Sequence, residues 1–285
     1  RAIILLAAAQ DLGVHVDQLK TEDGHVVWDN QRFPYGSFVQ TAAGIAAPED
    51  VSLKSPGDFR YIGQESGRVD ALAKSTGAAV FGIDIDLPGL HYAVVRRSPV
   101  PGAKVVGFNR AATEQAKGVF QVVEVASGVA VVAETYWQAK KAAEQMEVTW
   151  EEVPLGGMSS ADIRADYEQA LNSEEGLTGT DEGDLDAGFA AADHVLESQY
   201  WTPFLSHAPM EPMNAVVDIK EGWADVWSGT QGPVAAQGLV ARFSGLEPSK
   251  VRVHQTYLGG SFGRRGTLTH IVEATQIAVA SGKPI

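Results

Sequence analysis

The sequence Tyr257-Leu-Gly-Gly-Ser-Phe-Gly-Arg-Arg-Gly266 places four glycines around one phenylalanine and two arginines. Residues 251–257 before it are predicted to be extended, and residues 267–281 after it are predicted to be helical. A strand that leads through a glycine-rich loop into a helix builds an anion site, because glycine admits a close ligand and the helix start offers free N–H groups. Arg264 and Arg265 can add forked donors. Spacing alone leaves a simple tight turn as the alternative.

A second loop, just upstream, repeats this arrangement. Residues 223–227 are predicted to form a strand, residues 228–233 are mostly small, and residues 233–243 are predicted to form a helix. Gln231 therefore lies between a strand and a helix start, and two such loops close in sequence can converge on one ligand. The alternative is that Gln231 only caps the helix. The buried stripe of this helix is predicted to be Ala235, Leu239 and Phe243.

Composition and motif spacing exclude several functional classes. The chain has 285 residues, 45% of them hydrophobic and 20% charged, with a formal net charge of −14. This charge argues against nucleic acid as a partner. The absence of cysteine excludes disulfides, thiolate metal sites and cysteine-ligated iron–sulfur clusters within the chain. No apolar run has membrane-spanning length, and the glycine-rich loop has neither P-loop nor GxGxxG spacing.

Residues 1–59 are predicted to form a helix, a hairpin and a linker. Periodicity predicts a buried helix at residues 1–12. Asp23-Gly24 has the composition of a two-residue hairpin turn, and residues 35–43 can form a short helix. Residues 44–59 are rich in proline, glycine and small polar residues, which is typical of a linker. Both ends of the chain look cut, so we expect it to be part of a longer protein.

Residues 60–152 have the pattern of a small α+β domain. A helix is predicted at residues 135–146, with a face made of Tyr136, Ala139, Ala143 and Met146. Ser127-Gly128 is predicted to be the turn between the last two strands before this helix. The strands are predicted at residues 79–85, 91–95, 104–108, 119–125, 129–133 and 147–151.

Residues 153–191 are predicted to be an acidic linker with a helix at residues 160–172. The D-x-D-x-D-G spacing of a calcium loop is absent, so a solvated linker is favoured. Its acidic cluster consists of Glu174, Glu175, Asp181, Glu182, Asp184 and Asp186.

Residues 192–285 are predicted to contain further strands at 195–201, 215–219 and 223–227, with Glu221-Gly222 as a turn. Between them, His207 and Glu211 have ligand chemistry. The prolines around them argue against a helix that would align them, and no third ligand is evident. A loop that lines a pocket is therefore favoured over a metal site.

Four of these motifs together resemble the molybdenum-binding subunit of the xanthine dehydrogenase/aldehyde oxidase family. The motifs of residues 183–194 and 206–215 fit its bacterial branch, typified by the beta chains of isoquinoline 1-oxidoreductases and by membrane-associated aldehyde dehydrogenases. The others are Thr230-Gln231 and residues 251–265. The resemblance implies an α+β protein with an α/β hammerhead domain at residues 60–152, followed by the first part of a molybdopterin-binding domain at residues 192–285.

The resemblance also implies which residues meet the cofactor. Gln231 would approach an apical oxygen ligand of the metal, and the backbone of the glycine-rich loop would contact the molybdopterin. Gly266 stands where xanthine-oxidising members carry a substrate-binding glutamate, which puts purine substrates in doubt. The family's catalytic base lies beyond residue 285, so neither a catalytic residue nor a metal ligand is assigned. The implied cofactor-binding set is Gln231, Gly259, Gly260, Ser261, Phe262, Gly263 and Arg264.

By the same resemblance, the complete protein would oxidise aldehydes or N-heterocycles with water as the oxygen source. The implied cofactor is molybdenum–molybdopterin in its cytosine dinucleotide form, and the implied partners are a small [2Fe–2S] subunit and a cytochrome c subunit. A periplasmic or periplasm-facing location is favoured over a cytoplasmic one. The chain alone is expected to be inactive. Two alternatives stay open: a non-catalytic module that docks an iron–sulfur partner, and a phosphate-binding protein that uses Arg264 and Arg265.

Overall fold

The computed structural model describes residues 1–173 and 176–285. Glu174 and Glu175 of the acidic cluster lie outside the described residues. Contacts divide the chain into two compact units, residues 1–71 and residues 72–285. Each unit has a hydrophobic core of its own. Within the described residues, no helix has both the length and the apolar character needed to cross a membrane.

The first unit packs a helix against a three-stranded antiparallel meander. The first helix ends at Gly13, which has a φ of 66° and closes the last turn in the left-handed conformation. The predicted helix, the Asp23-Gly24 hairpin turn and the short second helix are confirmed. The elements are α1 (Ala2–Leu12), β1 (Lys20–Glu22), β2 (His25–Trp28), β3 (Gln31–Pro34), a 3-10 turn (Tyr35–Phe38) and α2 (Val39–Ala42).

The second unit begins with a sheet whose middle strand is buried on both faces. Alternate residues of this strand enter two cores: Val129 and Val131 pack with the helix that follows it, and Ala130 and Val132 pack into the larger core of the unit. After α3 (Ala71–Ser75), the elements are β4 (Tyr92–Arg97), β5 (Val105–Phe108), α4 (Arg110–Glu114), β6 (Val119–Val125), β7 (Gly128–Ala133), α5 (Tyr136–Gln145) and β8 (Val148–Trp150). The sheet order is β4-β7-β6, and β5 pairs with β8.

Three sequence predictions for this sheet are corrected. Residues 79–85 form no strand; the carboxylate of Asp84 accepts the N–H of Phe81 at 2.9 Å and closes a 3-10 turn there. The hairpin turn lies one residue earlier than predicted, because Val125 pairs with Gly128. The predicted face of α5 is buried except at Tyr136, which is exposed.

The described residues between 153 and 215 include two α-helices, α6 (Ser160–Leu171) and α7 (Leu185–Ala190), and the predicted helix at 160–172 is confirmed. The predicted strand at 195–201 is wrong. A strand needs a partner for its N–H and C=O groups, and residues 195–201 pair with no strand within the described chain. Leu196 and Tyr200 are accordingly exposed.

A second sheet positions the two loops. Its elements are β9 (Val216–Lys220), β10 (Trp223–Ser228), α8 (Pro233–Ser244), β11 (Val251–Gln255) and α9 (Thr269–Ser281). The order is β11-β10-β9, with β9 and β10 forming the predicted Glu221-Gly222 hairpin. Strands β10 and β11 are parallel, with Ser228 opposite Gln255, and α8 is the crossover between them. Both strands therefore end at the same edge of the sheet.

The predicted buried stripe of α8 is wrong by about one residue. Ala236, Val240 and Ala241 are buried, whereas Ala235 is exposed. The two alanines let the helix lie close to the sheet, and Leu239 packs only partly against this core. Periodicity predicted the helix, but the packing partner decided which face it buries.

Candidate functional site

Two loops leave the shared edge of β10 and β11, and each leads into a helix. We call residues 229–232 the glutamine loop and residues 258–266 the glycine loop. The loops are in close contact, because a Cβ atom on Gly229 would lie 3.3 Å from the Cα atom of Leu258. The carboxyl edge of parallel strands is where ligands bind in open α/β sheets. The predicted convergence of the two loops is therefore present.

Gln231 and Ser261 join the two loops directly. The Ser261 hydroxyl donates to Oε1 of Gln231 at 2.5 Å and accepts the N–H of Arg265 at 3.1 Å. This contact uses the amide oxygen of Gln231 and leaves its amide nitrogen as a donor. The N-cap of α8 is Gly232, without a side-chain cap, so Gln231 does not cap the helix.

The glycine loop has a backbone that presents donors. Phe262, with a φ of 53°, holds a left-handed conformation without being glycine. Such strain costs on the order of 1–3 kcal/mol and concentrates at ligand sites. The Phe262 side chain is 75% exposed. Within residues 1–173 and 176–285, no protein acceptor pairs with the backbone N–H groups of Gly260, Ser261, Phe262 and Gly263. Successive free N–H groups in mixed-handed turns form an anion-binding concavity.

The two arginines of the glycine loop have different environments. Arg264 is half-buried, and it donates to the hydroxyls of Thr267 and, at 3.2 Å, Thr269. Arg265 is completely buried, so the expectation that it serves as a ligand donor is wrong. Its guanidinium donates instead to the carbonyl oxygens of Gly260 at 2.8 Å and Gly229 at 3.3 Å.

Glu211 is the acidic partner of Arg265. Its Oε2 accepts from Nη2 of Arg265 at 2.8 Å and from the N–H of Gly259 at 2.9 Å. Its Oε1 accepts from Nδ2 of Asn214 at 2.9 Å and from the N–H of Ile83 at 3.3 Å. With the carboxylate engaged in this way, Glu211 acts as a structural group. The other residue considered as a ligand, His207, is exposed.

His270 lies behind the loops, in the first turn of α9, and is 6% exposed. Its Nε2 lies 3.2 Å from Oγ of Ser228, whose hydroxyl donates to the carbonyl oxygen of Asn214 at 3.1 Å. The Ser228 proton is thus used, so Nε2 of His270 must be the donor. Burial, and then the nearby guanidinium groups of Arg265 and Arg264, lower the pKa of His270 to about 4.

Sequence reasoning missed the roles of Glu211, Arg265 and His270. The sequence places Glu211 in a loop that is predicted to line a pocket, with a metal site as the less favoured interpretation, and it predicts Arg265 to be a ligand donor. The available signal was that Glu211 and Arg265 are charged residues inside two motifs that both carry small or apolar neighbours. A buried charge needs a partner of opposite sign. The predicted contacts of the cofactor-binding set with a ligand stay predictions.

Comparison with known proteins gives the loops a context. Residues 168–285 match the molybdopterin cofactor-binding domain family. The beta chain of isoquinoline 1-oxidoreductase from Brevundimonas diminuta is 32% identical over 87% of this chain and 33% of its own length. A subunit of the nicotinate dehydrogenase from Pseudomonas putida is 30% identical over 100% of this chain and 25% of its own length. The chain thus spans about a third or less of these relatives.

The fold is also found in solved structures. The aldehyde oxidoreductase from Desulfovibrio desulfuricans superposes with a TM-score of 0.61. That match covers 82% of this chain and 31% of the other, at 23% identity. The mixed helix and sheet content expected of the chain is therefore shared with this large enzyme.

Proposed function

The chain belongs to the molybdenum-binding subunits of the xanthine dehydrogenase/aldehyde oxidase family, and we propose that its glutamine and glycine loops hold a molybdopterin cofactor in an oxidoreductase. The observation that carries this proposal is the contact between Gln231 and Ser261. It sets the Gln231 amide nitrogen beside the N–H groups of residues 260–263, and none of these donors has an acceptor within the described part of the chain. The substrates proposed for the complete protein are N-heterocycles or aldehydes. Two relatives are named for isoquinoline and nicotinate, which are N-heterocycles.

The donor set fits such a group chemically. A molybdenum centre with its oxygen ligands, together with the phosphate of the pterin, presents acceptors and negative charge. The loops offer backbone N–H groups, the Gln231 amide nitrogen and the Arg264 guanidinium, while the protein as a whole carries a net charge of −14. The donors of the two loops therefore make this part of an acidic protein suited to bind an anion. When bound, the cofactor supplies oxidative hydroxylation with water as the oxygen source.

Further features of the proposal concern the complete protein. We assign the cytosine dinucleotide form to the cofactor, a hammerhead domain to residues 60–152, and a small [2Fe–2S] subunit and a cytochrome c subunit as partners. That both relatives are named as subunits supports an assembly of several different chains. A periplasmic or periplasm-facing location is proposed as well. Cell fractionation and the nucleotide released by acid hydrolysis of the cofactor test these assignments.

Substitution of the loops tests the cofactor site. The complete protein is purified with its partners, and molybdenum per polypeptide is measured for Gln231→Ala, Gly260→Val and the exposed control Gln115→Ala. We expect both loop variants to lose molybdenum and substrate oxidation while the control keeps them. Full molybdenum content with weakened partner binding in the loop variants would instead support the non-catalytic docking module.

A further inference from the structure

We propose that Glu211, acting through Arg265, is a positioning residue that holds the glycine loop in the geometry required by the cofactor. This inference rests on the proposed function and goes beyond it, because neither side chain belongs to the cofactor-binding set. Both side chains are buried, with Arg265 at 0% and Glu211 at 8% exposure. They therefore act on a ligand only through the backbone that they hold.

Arg265 is hydrogen-bonded to both loops through its buried side chain. Its guanidinium makes four hydrogen bonds: one to the glutamine loop at Gly229, one to the glycine loop at Gly260, and two to Glu211. Its main chain adds three more contacts. The carbonyl oxygen accepts from the Thr230 hydroxyl at 3.3 Å and from the Gln231 N–H at 3.4 Å, and the N–H donates to Ser261. A displacement of Arg265 therefore moves both partners of the Gln231–Ser261 contact.

Glu211 fixes Arg265 and the start of the glycine loop together. Its carboxylate accepts from Gly259, and its own N–H donates to the Gly259 carbonyl oxygen at 2.9 Å. The two backbones approach so closely that a Cβ atom on Gly259 would lie 2.3 Å from Cβ of Glu211. Because Gly259 is held through both its N–H and its carbonyl oxygen, the start of the glycine loop is fixed against Glu211. The carboxylate also balances the buried guanidinium charge, which would otherwise be unpaired.

The same unit contains a matched control. Glu273 is 5% exposed, and its side chain accepts hydrogen bonds from Arg97 and Ser127, neither of which belongs to the two loops. Glu211→Gln and Glu273→Gln each remove one buried carboxylate charge while keeping the side-chain shape. A role in stability alone predicts that molybdenum loss in each variant follows its loss of unfolding free energy, and that the EPR lines stay where they are. A positioning role predicts that only Glu211→Gln alters the cofactor.

The experiment uses the complete protein purified with its partners. Three readouts are compared: amide hydrogen exchange of peptides that cover residues 256–268, molybdenum retained after dialysis, and the EPR line positions of Mo(V). For Glu211→Gln we expect exchange and molybdenum loss to accelerate about tenfold to a hundredfold, the usual range for outer-shell partners, with shifted EPR lines. For Glu273→Gln we expect all three readouts to match the wild type.

Several results would overturn the proposal. One is a faster-exchanging glycine loop in Glu211→Gln with unchanged molybdenum retention and EPR lines; another is an equal change in Glu273→Gln. If Glu211→Gln fails to fold, Arg265→Lys, which keeps the charge but not the fork, must show the same shifts, and unchanged EPR lines would refute the role. A wild-type protein without molybdenum overturns the proposed function itself. If the wild type contains molybdenum and the variants retain it equally well with the same EPR lines, only the positioning role is overturned.

Discussion

Two buried carboxylates in the second unit bind arginines, and their surroundings differ. Glu211 pairs with an arginine whose side chain is 0% exposed, whereas the Arg97 side chain that pairs with Glu273 is 51% exposed. The first pair joins two loops at the edge of a sheet. The second joins α9 to β4 and, through the Ser127 hydroxyl at 2.5 Å, to the β6–β7 turn. The same chemistry thus serves a ligand loop in one place and sheet–helix packing in the other.

The difference in burial decides how replaceable each arginine is. Solvent screens the pair of Glu273 with the half-exposed Arg97, so the cost of removing this arginine stays small. In the loop pair no water reaches the fully buried guanidinium. Its loss removes the cationic partner of the Glu211 carboxylate and takes a donor from three carbonyl oxygens, those of Gly229, Gly260 and Glu211. Fully buried charge pairs such as Glu211 with Arg265 are costly to break, although they contribute little net stability when intact.

We expect the largest effect when the arginine of each pair is replaced in turn, beginning with Arg265. We expect Arg265→Met to lower the free energy of unfolding of the second unit by about 3–5 kcal/mol, because the buried Glu211 carboxylate loses its cationic partner. Arg97→Met should cost about 1 kcal/mol, because solvent screens the half-exposed Arg97 and Glu273 keeps the Ser127 hydroxyl as a donor. Urea unfolding followed by the fluorescence of Trp223 and Trp227, both in β10, measures the two. Equal losses would show that burial does not distinguish the pairs.

The sequence predicted the elements around this site better than the contacts that hold it. Local patterns located α8, α9 and the glycine loop, because periodicity and glycine spacing are properties of neighbouring residues. The pairing of Glu211 with Arg265 depends on two segments far apart in sequence that meet only in the fold. The predicted buried face of α8 was wrong for the same reason, because the position of the sheet decides that Ala236 faces the core. The 195–201 segment has strand composition but no pairing partner within the described residues.

The second prediction uses His270, whose pKa both pairs influence. Arg265, Arg264 and Arg97 lower this pKa, while Glu273 raises it, and burial is the largest cause of its fall to about 4. The unfolded imidazole takes up a proton near its ordinary value of about 6.5, but the native one stays neutral. Stability from this group is therefore fully present above pH 6.5 and is lost as the pH falls towards 4.

The loss should amount to about 3 kcal/mol, given about 1.4 kcal/mol for each unit of pKa difference. Denaturant unfolding of the wild type at pH 7 and pH 4 is compared with that of His270→Gln, which keeps a donor for Ser228 but does not titrate. The variant should lose less stability over this range, by the stated amount. Parallel pH profiles for the two proteins would mean that His270 is protonated in the native state.

We expect the smallest effect from substitution of two glycines, Gly259, which packs against Glu211, and Gly238, which has open space beside it. A Cβ atom on Gly259 would lie 2.3 Å from Cβ of Glu211, next to the backbone, where it cannot be relieved by rotating a side chain. Gly259→Ala should therefore cost about 1–3 kcal/mol, as overpacking does. Gly238 lies inside α8 with no atom within 4 Å of an added Cβ. Gly238→Ala should stabilise the unit by about 0.5–1 kcal/mol through helix propensity. Opposite signs in urea unfolding would show that the glycine loop is closed against Glu211 in solution; a gain in stability from both substitutions would show that the loop is free of it.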